Sequence, residues 1–199
     1  MGGPRRRIGV TADARLLVWE IDETAGFDSA WATIDGSRLR AEGRAVGLRP
    51  RPTWIDYRLE TGNGFVTRAM DVQARWDGGA ASLRLRNDGG AWSVNGESRP
   101  DLDGALDCDL MACPLTNTMP ILRHGLHREP GEHELLMAFI AIPTLEVTPN
   151  RQRYTFLRRL PDAGGEVRYA SDGFRSDLTI DGDGFVVDYP QLGRRIKPG

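Results

Sequence analysis

The sequence is poor in lysine and cysteine and contains no long apolar run. Lys197 is the single lysine among 26 basic residues, a bias that follows coding composition more readily than function. Acidic and basic residues interleave, and the formal charge of -2 with a pI near 6.0 offers no concentrated basic face for nucleic acid. An acidic tail and a polybasic membrane patch are equally missing. Cys108 and Cys113 are too few for a disulfide framework. Their C-x4-C spacing, without a second pair, reads as two buried thiols rather than half of a zinc site or a redox pair. No stretch approaches the ~18 consecutive apolar residues of a membrane helix. Arg5-Arg6-Arg7 has the charge of a signal-peptide n-region, but Thr11, Asp13 and Arg15 interrupt any apolar h-region. Arg6 stands where a myristoylation signal requires Ser or Thr. These absences predict a soluble cytoplasmic protein with no transmembrane segment.

What is abundant is turn chemistry and strand periodicity. Twenty-four glycines and 12 prolines, with five Trp, four Tyr and six Phe, describe a folded, turn-rich chain. A length of 199 residues suits one domain, 1–199, with a real core. Arg38 to Val46 alternates polar and small apolar residues, as a half-buried strand does. Thr53, Ile55, Tyr57 and Leu59 share a face opposite Trp54, Asp56, Arg58 and Glu60. Val66, Met70, Val72, Ala74 and Trp76 line the next face, with Arg68 its odd member. Ser82 to Arg86 alternates again, and Asn87-Asp88-Gly89-Gly90 is a strong turn before Ala91 to Val94. Arg151 to Leu157, Glu166 to Ala170, Phe174 to Ile180 and Phe185 to Asp188 are strand-like. They are separated by turns at Asp162-Ala163-Gly164-Gly165, Asp172-Gly173 and Asp181-Gly182-Asp183-Gly184. This spacing predicts a mainly β fold, mostly antiparallel, with one short helix.

Two segments resist periodicity. Leu135 to Ile142 is apolar throughout and fits either a buried helix or a strand covered on both faces. Pro114-Leu115-Thr116-Asn117-Thr118-Met119-Pro120-Ile121 brackets a polar triplet with two prolines, which predicts a conformationally specified crossover. It leads into a helix near Leu115 to Leu126, with Thr116 or Thr118 as cap and Gly125 as terminator.

The candidate chemical constellations have plain structural readings. His124, His127 and His133, near Glu129, Glu132 and Glu134, carry no known metal-ligand spacing and read as surface loop. Asp181-Gly182-Asp183-Gly184 lacks the later acidic positions of a calcium loop and reads as a tight turn. P-loop, dinucleotide and nucleophile-elbow motifs are missing, so neither cofactor nor metal is expected. Asp107 and Asp109 share a strand face and need a partner such as Arg123 to relieve their repulsion. Arg68, read on an apolar face, needs an acid or a polar headgroup.

Leu102-Asp103-Gly104-Ala105-Leu106-Asp107-Cys108-Asp109-Leu110 followed by Pro114 to Ile121 resembles the signature of the bacterial family called putative glycolipid-binding. Trp19, Tyr57-Arg58-Leu59-Glu60, Thr67-Arg68, Gly90-Ala91-Trp92, Gln152-Arg153-Tyr154-Thr155 and Asp188-Tyr189-Pro190 agree with it in order, so the resemblance spans nearly the whole chain. It implies a spiral β-roll, a many-stranded curved sheet wrapped around a single short α-helix, forming a homodimer. By analogy with lipid carriers it implies an apolar cavity for a lipid or glycolipid. The family motif carries a second arginine after its Pro-Ile pair, where this chain has Leu122 and Arg123, which removes support for a double-arginine headgroup contact.

On this reading the chain is a non-enzymatic lipid binder. Tyr57, Trp92 and Tyr154, with Met70, Trp76 and Phe139, would form the apolar wall, and Arg68, Asn117 and Arg123 the polar contacts. A hydrolase or isomerase pairing Asp107 or Asp109 with a histidine is one alternative. A dimeric structural module with a filled interior is another.

Overall fold

Alternation of buried and exposed residues along almost every strand builds one continuous sheet, seen in a computed structural model that describes residues 14–162 and 164–197. Arg5-Arg6-Arg7, Thr11, Asp13 and Ala163, weighed above, lie outside the described residues. The first arm comprises β1 (Arg15–Ile21), β2 (Gly26–Asp35), β3 (Arg38–Gly47), β4 (Thr53–Thr61), β5 (Thr67–Trp76), β6 (Gly79–Asp88), β7 (Ala91–Val94) and β8 (Glu97–Ser98). After β9 (Asp107–Leu110) and helix α1 (Thr118–Arg123), the second arm runs through β10 (Glu132–Ile140), β11 (Val147–Arg159), β12 (Gly165–Ser171), β13 (Phe174–Ile180), β14 (Val186–Tyr189) and β15 (Gly193–Arg195).

The order across the sheet is β8-β7-β6-β5-β4-β3-β2-β1-β15-β14-β13-β12-β11-β10-β9. Neighbours are antiparallel, except for the parallel pair β9 and β10. The arms join where β1 pairs with β15, Trp19 opposite Arg195. The sheet then curls until its arms meet again without closing. The Thr67 amide donates to the Leu106 carbonyl at 2.9 Å, and the Trp92 indole to the Ala105 carbonyl at 3.0 Å. The expected mainly β roll around a short helix is therefore what the chain forms.

Both undecided segments now have physical explanations. Leu135 to Ile140 is strand, and it lacks alternation because both faces are covered. Leu136, Ala138 and Ile140 pack into the larger core with Trp19, Leu59, Met70 and Trp92. Leu135 and Met137 pack into a second core with Tyr154, Val167, Leu178 and Tyr189. Pro114–Asn117 is a 3-10 turn that runs straight into α1. Met119 enters the larger core and Ile121 the smaller, so α1 touches both. Gly125, at φ 64°, follows the helix as expected. The expected threonine cap does not form. The residue before α1 is Asn117, without a capping side-chain bond, while the Thr116 hydroxyl lies 2.7 Å from Asp109 instead.

Arg68 also departs from expectation. Thr61 pairs with Thr67 and Glu60 with Ala69, so Arg68 is the extra residue of a β-bulge. The bulge turns Thr67 inward and leaves Arg68 exposed. Strict alternation from Met70 back to Val66 misplaces it by one residue. The histidines are likewise less peripheral than a surface loop would make them: His127 is buried, and His124 stacks on His133 with ring centroids 3.7 Å apart.

Candidate functional site: an amphipathic cleft around Met111 and Ala112

Strand β9 sets the site by presenting Asp107 and Asp109 to the helical segment while Cys108 and Leu110 enter the core. The two carboxylates meet different partners. Arg123, at the last turn of α1, grips Asp107 with two guanidinium nitrogens, one at 2.7 Å, and donates to the Gly64 and Phe65 carbonyls at 2.9 and 3.1 Å. That clamp ties α1 to β9 and to the turn before β5. Burial pushes the Asp107 carboxyl above its usual range, opposed by the guanidinium.

Among the described residues Asp109 has only neutral donors, Thr116 at 2.7 Å and the Gln152 amide at 2.6 Å. Its pKa is raised by burial and pulled back by those hydrogen bonds. The network continues through the Tyr154 hydroxyl, 3.1 Å from Gln152 Oε1 and 2.9 Å from Asn117 Oδ1. Alternation along β11 places Gln152 and Tyr154 on one face, which is why a strand and a 3-10 turn can share the network.

Above this network lies a cleft of about 340 Å³ with Asp109 and Asn117 in its floor. Tyr169, Phe174 and Tyr189 pack with their rings tilted to one another, centroids 5.9 to 6.4 Å apart, and with Phe139 and Leu192 they wall it. Asn150, Ser171 and Asp172 supply a polar rim, and the Asn150 amide donates to Asp172 at 2.7 Å. The lining includes Glu23, Asp109 and Asp172 and, among the described residues, no basic side chain.

The turn Leu110–Cys113, with Ala112 at φ 58°, is the partition between this cleft and a narrow apolar slot. Ile21, Phe27, Val46, Ile55, Ile142 and Pro143 line the slot, whose free volume is about 100 Å³. Cys113 lines both spaces. Behind Cys113 sits a further buried carboxylate, Asp28, which accepts the Tyr57 hydroxyl at 3.0 and 3.3 Å. Burial raises Asp28 to about 7, against the Cys113 thiol and Tyr57 hydroxyl beside it. Tyr57 reaches Asp28 by crossing over Gly43, where a Cβ would sit 2.1 Å from the ring. Only glycine leaves that path open.

Of the sequence-derived site residues, Asn117 lines the cleft and Tyr154 is buried beneath it, hydrogen-bonded to Asn117. Tyr57 lies behind the slot with Asp28. Trp92 is core, Arg123 forms the clamp, and Arg68 is on the outer surface. Phe139, also named for the wall, does line the cleft. Cys108 and Cys113 are free and buried, and burial pushes the Cys108 thiol up to about 12, an unreactive state.

Asp28 escaped sequence reasoning, as did Tyr169, Phe174 and Tyr189. A signal for Asp28 exists, since it stands in register with Gly26, Ala30 and Ala32 on the inward face of β2. Asp107 and Asp109 hydrogen-bond to Arg123, Thr116 and Gln152, whereas His124 packs on His133; the acid–histidine pairing a hydrolase would use is not made among the described residues. Nor do three or more His, Cys, Asp or Glu side chains converge there as a metal-holding group.

The described residues thus form an unclosed β-roll with a filled interior and an amphipathic cleft. The family described as Putative glycolipid-binding matches residues 16–195, and the chain belongs to it. A DUF1089 family protein from Pseudomonas aeruginosa is similar in structure, with a TM-score of 0.70 and 31% identity over 85% of this chain and 92% of that one. A β-barrel-like protein of the domain of unknown function DUF1849, from Brucella abortus, has a TM-score of 0.52 at 10% identity, covering 94% of this chain and 98% of its own. That second likeness speaks to the fold alone. None of the curated proteins matches the chain.

Proposed function

We propose that this protein is a non-enzymatic binder of a neutral glycolipid, acting as one domain. The headgroup would rest on the Asp109–Asn117 floor and the apolar part would lie beside the Met111–Ala112 turn. The observation that carries this reading is the pairing of a polar-floored aromatic cleft with an apolar slot across one shared turn.

The charge of the lining selects the headgroup class. Glu23 and Asp172, without a basic partner in the cleft among the described residues, repel phosphate and carboxylate groups and accept hydrogen bonds from hydroxyls. Aromatic walls suit the apolar faces of a sugar ring as well as an acyl chain. The roll's interior is filled by Trp19, Trp92, Tyr154 and Phe185, so the ligand occupies the end of the roll rather than its axis. Thr116, Gln152 and Arg123 as partners of the two aspartates favour binding over acid–base chemistry.

Native mass spectrometry of protein purified from a lipid-rich lysate tests the reading. A bound mass that chloroform–methanol extraction identifies as a neutral glycolipid is the expected result. Phe174→Ala, at the exposed lip of the cleft, should lower occupancy roughly tenfold, the effect of losing about 1.4 kcal/mol, with the melting temperature unchanged. Repeated recovery of bare protein, or undiminished occupancy in the variant, would count against this site.

A further inference from the structure

The register of the first arm gathers apolar side chains into a row on its outer surface. Phe27 lies opposite Val46, Val46 opposite Trp54, and Trp54 opposite Arg75. All four sit on the outward face of their strands. Phe27 is 47% exposed, Trp54 43%, and Leu48, just beyond β3, 67%. Three such side chains at one end of a molecule this size would be costly in water without an apolar partner.

Three arginines border the row on the side of β3 to β5. Arg49 and Arg51 follow Leu48 in the loop to β4, Arg75 ends the row, and all three are exposed. None of the three forms a carboxylate ion pair among the described residues, whereas Arg44, stacked 4.7 Å over Trp54, pairs with Asp56. Glu20 is opposite Phe27, and Glu23 lines the slot. Arg75 thus closes the β5 end of the row and Glu20 its β1 end, while Arg49 and Arg51 flank it beyond Leu48. A shallow hollow of about 500 Å³, lined by Phe27, Val46, Leu48, Trp54 and Trp76, opens here and shares Phe27, Val46 and Thr53 with the apolar slot.

We propose that this tip docks on the surface of an anionic lipid bilayer, which aligns the slot and cleft with the membrane from which the ligand is drawn. Leu48, Phe27 and Trp54 enter the headgroup–acyl boundary, where tryptophan and leucine side chains gain most. Arg49, Arg51 and Arg75 attract anionic headgroups that the acidic cleft itself refuses. The bilayer is favoured over a second copy of the chain because like-charged tips would repel each other across a two-fold axis. This inference rests on the lipid-binding reading for its purpose, though its test does not depend on that reading.

The experiment is sedimentation of the full chain with vesicles of phosphatidylcholine alone and of phosphatidylcholine mixed with phosphatidylglycerol. Binding to the mixed vesicles, weakened by added salt, is expected. Leu48→Asp and Arg51→Glu, both on exposed loop positions, should each reduce the bound fraction at least severalfold while leaving the circular dichroism spectrum unaltered. Equal binding to both vesicle types, or undisturbed binding by the variants, would overturn the proposal. So would a Leu48→Asp variant that turns a dimer into a monomer while the parent protein ignores vesicles. Parallel native mass spectra separate the two ideas. Retained glycolipid without vesicle binding rejects the docking tip alone, and vesicle binding by ligand-free protein rejects the cleft alone.

Discussion

Asp107 and Asp28 are both almost fully buried, at 1% and 0% exposure, yet their surroundings differ in kind. Asp107 faces a guanidinium held in place by two further carbonyls. Asp28 faces a phenol and a thiol. A buried charge with a fixed counter-charge locks two elements together, and breaking it strands the survivor. A buried acid among neutral donors keeps its proton instead, and its state follows pH. The first arrangement builds the frame that holds α1 against β9. The second sits behind the wall of the candidate site, where a neutral group disturbs the apolar slot least.

The sharpest way to break this contrast is Arg123→Ala. It leaves Asp107 unpaired and frees the Gly64 and Phe65 carbonyls, so the expected loss is about 3–5 kcal/mol in urea unfolding. A loss below about 1 kcal/mol would mean that water, not Arg123, supports Asp107.

Asp28 makes the opposite prediction, through pH. Its carboxyl rises from an ordinary 3.8 to about 7 on folding. Between those values the unfolded chain releases the proton while the folded chain keeps it, so the folded state binds more protons. The contribution of this group to stability is therefore full below about pH 4, falls as pH rises to about 7, and is level above. Roughly 4 kcal/mol is at stake, at about 1.4 kcal/mol per unit. Asp28→Asn keeps an acceptor for Tyr57 and removes the titration. The difference between parent and variant should hence vary across pH 4 to 7, and parallel stability curves would show Asp28 ionised in the folded protein.

Asn117→Ala has the smallest expected effect. Its Oδ1 accepts the Tyr154 hydroxyl, but Gln152 Oε1 lies 3.1 Å away as a second acceptor. Thermal or urea unfolding should show a loss of about 1 kcal/mol. A stability unchanged by the substitution, together with lost glycolipid occupancy, would assign Asn117 to the ligand rather than to the frame.

How far the site was legible varies residue by residue. The Asp107–Arg123 pair could be anticipated, because two acids on one strand face demand a counter-charge and Arg123 closes a segment already marked by its prolines. Tyr154 and Asn117 stood out through the family signature, but their contact spans 37 residues of chain, and no local pattern measures such a distance. Arg68 was misplaced because a bulge inserts one residue without altering the composition around it. Asp28 was missed because a single acid among small residues looks like a surface break until the register shows it facing inward.

The sequence by itself determined that this is a β protein of short, turn-separated strands with one helix behind a proline-bracketed crossover, since period-two patterning and turn chemistry act locally. Which strands become neighbours was decided only in three dimensions, as was the covering of β10 on both faces. The meeting of β9, the Pro114–Asn117 turn, β11 and β14 around one cleft was decided there too. Those outcomes depend on how the whole sheet twists and where its two arms meet, and that is a property of all fifteen strands of the described residues together.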